Sequence, residues 1–253
     1  MEAIPEATGS PVDAALSAQH HWYHSIELAP GSITPGRVDL RRVASKVLPS
    51  NLSGKRALDI GTFDGFWAFE MEKRGAEVVA TDIESPPGAD LAPPTRGLVE
   101  ERTQSWDVQL GRGFELARRA LGSKVDRRVC NIYDLSVERI GGGVDFAFIG
   151  ALLLHLRDPV AGLERIRESL STGGRIVSLE PISLLYSAIA PRRPVAKFQA
   201  TSTYFTWWFL NRDAHRKLLY AAGFDHVKSL GLHRPPQQKP MKEWMDGLVA
   251  TRP

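Results

Sequence analysis

Short apolar strands alternate with helices along most of this chain, and that alternation leads to a parallel sheet covered by helices on both faces. Strands are expected at 56–60, 77–82, 125–132, 144–150 and 174–180, with two more near 226–232 and 247–252. Helices are expected at 66–74, closed by Gly75, and at 113–121. Two more are expected at 158–170, where Asp158 is the N-cap and Pro159 the first helical residue, and at 212–222, ended by Gly223. A shorter helix is read at 36–48 from Val38, Val43 and Val47, stopped by Pro49. Strands buried on both faces read as continuous apolar runs, and VDFAFIGALLL and GRIVSL are such runs. Two insertions interrupt the pattern, a Pro-rich one at 85–110 and a second at 181–210. The first fifteen residues, rich in Ala, Pro, Gly and Ser, are expected to fray.

The turn after the first strand reads Asp59-Ile60-Gly61-Thr62-Phe63-Asp64-Gly65. Parallel sheets bind ligands at the carboxyl ends of their strands, where the strand order reverses. Gly61 lets the backbone pass close to a ligand because no Cβ intrudes. Gly65 opens a helix whose N–H groups point at the site. Asp59 stands at the strand end, placed to hold a cationic amine directly or through water. Asp82 follows 23 residues later at the tip of the second strand, the spacing of an acid that accepts hydrogen bonds from ribose hydroxyls. The four residues together indicate a nucleoside-type ligand. A dinucleotide would require G-x-G-x-x-G, with glycine at 63 and 66, and both positions are phenylalanine.

The pattern D-x-G-x-x-x-G resembles the first motif of the class I S-adenosylmethionine-dependent methyltransferases, usually D/E-x-G-x-G-x-G, with Phe63 in place of the middle glycine. VCNIYDL at 129–135 resembles that family's third-strand motif, in which an acid commonly touches the adenine amino group. Asn131 stands there, and its amide oxygen can accept the same bond. GALLLHLRDP at 150–159, LSTGG at 170–174 and Ala222-Gly223-Phe224 resemble further landmarks, so the likeness runs from about residue 52 onward. WYHSIELAPGSITPG, DIGTFDGFWAFE and WWFLN are similar to the branch related to tRNA wobble-uridine carboxymethyltransferases, which includes small-molecule O-methyltransferases. The resemblance implies an α/β, Rossmann-like fold with a seven-stranded, mostly parallel sheet and helices on both faces. It implies a methyltransferase domain at 51–253, with residues 1–50 as a segment covering the active site. It implies S-adenosylmethionine as cofactor, surrounded by Asp59, Gly61, Thr62, Phe63, Asp64, Gly65, Asp82, Ile83, Asn131, Ile132 and Gly150.

Methyl transfer from a sulfonium is an in-line displacement, for which alignment supplies several kcal/mol. A hydroxyl acceptor also needs a base or a metal ion. His155, just after the fourth strand on the ligand side, is the first choice for base; the alternative is a structural histidine bonding a loop carbonyl. Glu180 ends the fifth strand and is placed to orient His155 or, with it, to hold a magnesium ion; the alternative is a solvated strand-end acid. His24 and Tyr23 lie in the segment before the fold, as a further catalytic and a substrate candidate. In the second insertion Tyr204 and Trp208, with Tyr186, Phe205 and Trp207, either wall an acceptor pocket or plug the sheet edge.

Charge and composition narrow the partners. The formal net charge is +3 with pI ≈ 9.1, and the basic clusters are pairs such as Arg118-Arg119 and Arg192-Arg193, read as solvated faces and not as a nucleic-acid footprint. The single cysteine, Cys130, excludes an internal disulfide, and there is no clustered Cys/His spacing. With no signal-peptide pattern in the first thirty residues, a cytoplasmic location is expected. The longest apolar run, 146–154, falls far short of the roughly 20 residues that span a bilayer, so no membrane partner is expected. The function expected is O-methylation of a small hydroxylated acceptor, such as a sugar or natural product. The alternatives are a tRNA wobble-uridine-modifying enzyme, which a compact basic patch beside the pocket would favour, and a non-catalytic cofactor-binding homologue.

Overall fold

The structure, a computed structural model, describes residues 10–18, 20–106, 110–200, 205–238 and 243–253. The N-terminal stretch carries α1 (Pro11–Ser17), a ribbon of β1 (Glu27–Ala29) and β2 (Ser32–Ile33), and α2 (Arg41–Val47). Then come β3 (Arg56–Ile60), α3 (Phe66–Glu72), β4 (Glu77–Asp82), α4 (Pro93–Trp106), α5 (Arg112–Leu121), β5 (Asp126–Val129) and α6 (Val137–Ile140). They are followed by β6 (Val144–Gly150), α7 (Pro159–Ser169) and β7 (Leu170–Ile182). The last group is α8 (Leu184–Ile189), β8 (Ala196–Phe198), β9 (Trp208–Leu210), α9 (Arg212–Ala221), β10 (Asp225–His233) and β11 (Trp244–Thr251).

Seven strands form the main sheet in the order β10-β11-β7-β6-β3-β4-β5. β3 to β7 are parallel, and β11 runs antiparallel between β7 and β10. β8 and β9 add a short flap, through one pairing of Ile182 with Leu210. The chain steps from β3 outward to β4 and β5, then crosses back to lay β6 on the other side of β3. The order reverses at β3 and β6, which opens a crevice at their carboxyl ends.

Side-chain alternation decides what each face buries. Ala57, Phe146 and Phe148 pack on one side with Phe66, Trp67 and Phe114 from α3 and α5. Leu58, Ile60, Ala147 and Ile149 pack on the other with Leu163 and Ile166 of α7 and Phe224. The cap of α7 is as expected: the Asp158 carboxylate accepts the Ala161 N–H at 2.9 Å behind Pro159. Asn211 caps α9 in the same way, accepting from Ala214 at 2.9 Å.

Several boundaries differ from the sequence reading. The helix expected at 36–48 begins at Arg41, because 36–38 is drawn into extended pairing: Val38 N–H donates to the Tyr23 carbonyl and Ser25 N–H to that of Val38. Residues 11–17, expected to fray, form α1. Ser10 caps it by accepting the Asp13 N–H, and Ala15 is fully buried where α1 meets α5. The third strand stops at Val129, since the Asn131 side chain accepts the Tyr133 N–H and turns the chain into a short 3-10 helix. The first insertion is largely helical, in α4.

The β3–α3 turn keeps a glycine path without its middle glycine. Phe63 itself adopts φ +48, in the left-handed region. That costs a non-glycine residue about 1–2 kcal/mol, and two contacts offset it. Its N–H donates to Asp82 Oδ2 at 2.8 Å, and its ring meets Tyr23 edge-on at 5.6 Å. Gly65 is required for packing: at φ +89, a Cβ would lie 2.4 Å from Phe69 Cε2 and 2.7 Å from Phe114 Cδ2. Gly65→Ala is therefore expected to destabilise the fold by about 3 kcal/mol, summing backbone strain and overpacking. A urea titration checks this, and an unchanged midpoint would contradict it.

Candidate active site

The crevice at the ends of β3, β4 and β6 is lined by Ile60, Gly61, Asp82, Ile83, Asn131, Ile132, Leu152 and His155, with Asp90 and Tyr133 at its rim. Of the eleven residues expected around a cofactor, Gly61, Asp82, Ile83, Asn131 and Ile132 line it. Gly61 does what its type suggested: at φ +72, a Cβ there would lie 3.0 Å from the Leu152 side chain that forms the opposite wall.

Asp82 is half-buried at the tip of β4. Its two oxygens accept the N–H groups of Phe63 and Ile83, each at 2.8 Å. Burial pushes its pKa up, against the downward pull of those two donors. Each oxygen keeps a lone pair beyond the N–H it holds, so the carboxylate can still take two hydroxyl donors.

The remaining acids and turn residues sit behind this surface. Asp59 does not line the cleft as expected for a direct amine contact. It is 1% exposed and accepts the Ala68 N–H of α3 at 3.1 Å, because residue 59 alternates onto the α3 face of the sheet. Burial, foremost, raises its pKa to about 7. Asp64, also read as a cofactor residue, faces the N-terminal segment: it accepts the N–H groups of Tyr23 (2.6 Å) and His24 (3.2 Å) and pairs with His20 Nε2 at 3.2 Å. Thr62 and Gly65 are buried within the turn. Gly150 lies where a Cβ would meet the Phe148 ring at 2.8 Å, so it too serves packing.

His155 lies in a 3-10 turn after β6 and reaches the cleft. Its Nδ1 is 2.9 Å from the Phe205 carbonyl. A carbonyl only accepts, so in the neutral ring Nδ1 carries the proton and Nε2 keeps its lone pair. Burial pushes the His155 pKa down, which keeps the ring neutral near pH 7. The structural alternative, a histidine bonded to a loop carbonyl, is what the contact with Phe205 shows.

Glu180 is not a solvated strand-end acid. It is 1% exposed, and Oε1 accepts the N–H groups of Leu152 (3.1 Å) and Leu153 (3.2 Å), shaping the turn that presents His155. Burial raises its pKa to about 8. With Glu180 turned to the main chain, the expected magnesium site with His155 does not form, and among the described residues no three His, Cys, Asp or Glu side chains gather as a metal site would need. His24 is buried away from the cleft lining, stacked on Phe66 at 5.7 Å, and burial lowers its pKa to about 4. Tyr23 sits between Phe63 and His24, its pKa raised to about 12 mainly by burial. Trp208 donates its indole N–H to the Arg157 carbonyl, as a plug and not as a pocket wall. Tyr204 lies outside the described residues.

Sequence reading missed the clamp at the rim. Asp90 Oδ2 accepts the Tyr133 hydroxyl at 2.8 Å and the Arg157 N–H at 2.7 Å, while its carbonyl takes the Trp207 indole N–H. The Arg157 guanidinium lies 4.8 Å over the Trp207 ring. Nothing in the Pro-rich stretch PPGADLAPP marks that aspartate, since its partners come from residues 43, 67 and 117 positions away.

The architecture and the cleft at its strand-order reversal are those of the class I S-adenosylmethionine-dependent methyltransferases. Comparison with known proteins agrees: the methyltransferase-domain model matches residues 36–229, so the chain belongs to that family. A stretch of 73 residues is 40% identical to the magnesium-protoporphyrin O-methyltransferase of Rhodobacter capsulatus, covering 27% of this chain and 32% of that enzyme. The match thus spans about a third of the relative's length. Among solved structures, the magnesium protoporphyrin IX methyltransferase of Synechocystis PCC 6803 is similar in fold (TM-score 0.50, 16% identity, 80% of this chain and 76% of that one). So is the 1,6-didemethyltoxoflavin-N1-methyltransferase of Burkholderia thailandensis (TM-score 0.51, 17% identity, 84% and 77%).

Two outcomes follow. Asp82→Ala is expected to abolish S-adenosylmethionine binding in calorimetry while the protein stays folded; tight binding by the variant would remove Asp82 from the cofactor site. The second concerns stability. Glu180 has a raised pKa, so its contribution is full below the unfolded value of about 4.5 and is lost as pH rises through about 8. Relative to Glu180→Gln, the wild type should lose roughly 2 kcal/mol of unfolding free energy between pH 6.5 and 8. Parallel pH profiles for the two proteins would show that Glu180 does not retain its proton.

Proposed function

We propose that this methyltransferase transfers the methyl group to an oxygen of a small hydroxylated acceptor, with His155 as the general base. The observation that carries the reading is His155 Nε2, without a hydrogen-bond partner among the described residues, in the same cleft as Asp82, with Nδ1 fixed on the Phe205 carbonyl. The O-methyltransferase name of the R. capsulatus relative also supports oxygen as the accepting atom.

In this reading Asp82 accepts the ribose hydroxyls, and Asn131 and Ile132 meet the adenine. The sulfonium donor supplies an electrophilic methyl carbon. Leu152 and the Gly61 backbone bound the cleft and exclude water. His155 Nε2 takes the acceptor's hydroxyl proton, and the Phe205 carbonyl stabilises the imidazolium that forms. The cleft is partly open to solvent and holds about 70 Å³, with the Asp90 clamp at its rim. The N-terminal segment, tied to the turn by Asp64, covers the back of the site.

Release of S-adenosylhomocysteine across a panel of hydroxylated acceptors tests this. His155→Ala is expected to lower kcat at least about tenfold and leave the Kd for S-adenosylmethionine unchanged. Wild-type kcat should fall as pH drops through the lowered His155 pKa, and the variant should lack that limb. Unchanged turnover in the variant would exclude His155 as base.

A further inference from the structure

We propose that residues 184–198, in the second insertion, seat this protein on an anionic lipid surface. Three observations, independent of the catalytic reading, converge on it.

The first is exposed apolar area in one place. Isolated exposed aliphatics are ordinary, but contiguous patches mark interaction sites. On α8, Leu185 and Ile189 are 65% and 69% exposed, and Leu184 38%. Leu184 with Ala188, and Leu185 with Ile189, stand four residues apart and so share a helix face. Phe198 of β8 adds a ring that is 60% exposed. Beside α8 lies a groove of about 370 Å³, lined half by Leu184, Ala188, Pro191 and Leu232 and half by Ser187, Asn211, Arg212 and Asp213.

The second is charge. Residues 181–211 contain Arg192, Arg193 and Lys197 and no Asp or Glu. The whole chain has 32 basic and 29 acidic side chains. Removing these three basic residues leaves 29 of each, so the entire positive excess lies in this one insertion. All three are exposed. The acids packed nearest do not cancel them: Asp246 is buried and paired with Arg212 at 2.9 Å, and Asp213 is half-buried in the groove floor.

The third is position. Phe198 packs on Trp208 at 5.2 Å and on Trp207 at 6.2 Å, and Trp207 bonds the Asp90 segment that closes the cleft. Phe198, one end of this surface, therefore lies against the tryptophan that bonds the rim of the candidate active site.

Aliphatic side chains beside arginines are the two signals that hold a peripheral protein at a bilayer, apolar insertion and attraction to anionic headgroups. No helix among the described residues is long and apolar enough to cross a membrane, and this contact requires none. RNA would meet the same three charges and could stack on the Phe198 ring, but the most exposed large apolar side chains of the patch, Leu185 and Ile189, are aliphatic and give a base no plane to stack on.

Vesicle co-sedimentation of the full chain tests the proposal, with phosphatidylcholine alone against an equal mixture with phosphatidylglycerol. Binding is expected only with the anionic vesicles, and 0.5 M salt should weaken it. The doubles L185S/I189S and R192E/R193E should each bind at least about tenfold more weakly while keeping the wild-type melting temperature and calorimetric affinity for S-adenosylmethionine. Absence of binding to anionic vesicles, or variants that bind like wild type, would overturn it. So would two competing results. One is a concentration-dependent dimer in sedimentation velocity that L185S/I189S abolishes, which makes a second copy the occupant. The other is a single-stranded RNA whose binding is lost in R192E/R193E but kept in L185S/I189S.

Discussion

The turn between β3 and α3 is held from two sides by carboxylates, and the rest of the site depends on that grip. Asp82 draws the Phe63 N–H toward β4, and Asp64 draws residues 20–24 onto the outside of the turn. Charge-assisted bonds of this kind are stronger than neutral ones, and here they offset the left-handed strain at Phe63. Without the Asp82 bond the turn would lose its tie to the tip of β4. Without the Asp64 bonds the N-terminal segment would lose its anchor. One short turn therefore fixes both the floor of the cleft and the segment behind it.

Burial of acids gives this strand-end region its electrostatic character. Asp59 and Glu180 are each about 1% exposed, each accepts main-chain N–H groups on one oxygen, and their pKa values are raised to about 7 and 8. Their work is positional: Asp59 fastens α3 under the turn, and Glu180 fixes the loop that carries His155. A third polar chain shows why burial has to be weighed with geometry. Ser178 Oγ lies 2.8 Å from His215 Nε2, and His215 Nδ1 lies 3.2 Å from Asp246 Oδ2, the order of a hydrolytic triad. None of the three is more than 1% exposed. No substrate reaches that serine, and the chain is a satisfied core network joining β7, α9 and β11.

Much of this was legible in local patterns. The strand-end positions of Asp59 and Asp82, the glycines of the turn, the cap at Asp158 and the order of strands and helices depend on neighbours within a few residues, so they can be read along the chain. The place of His155 on the ligand side of the sheet can be read in the same way, since it follows a buried strand. Less legible were the directions in which side chains point. Asp59 and Asp82 look equivalent as strand-end acids, yet β-strand alternation turns the first toward α3, while the second, at the tip of β4, faces the cleft. Asp64 was grouped with them although its partners lie forty or more residues away.

The fold class, the reversal point of the sheet and the strand-end acids beside it can be read from the chain alone. These follow from periodicity, glycine geometry and carboxylate chemistry, all of which are local. The assembled fold alone shows which acid lines the cleft, which nitrogen of His155 meets a carbonyl, and where the surplus charge lies beside exposed leucine and isoleucine. Those depend on contacts between elements far apart in the chain. Asp90 with Arg157 and Trp207, His155 with Phe205, and Glu180 with the 152–153 turn are brought together only when the sheet assembles and its insertions fold back over its edge.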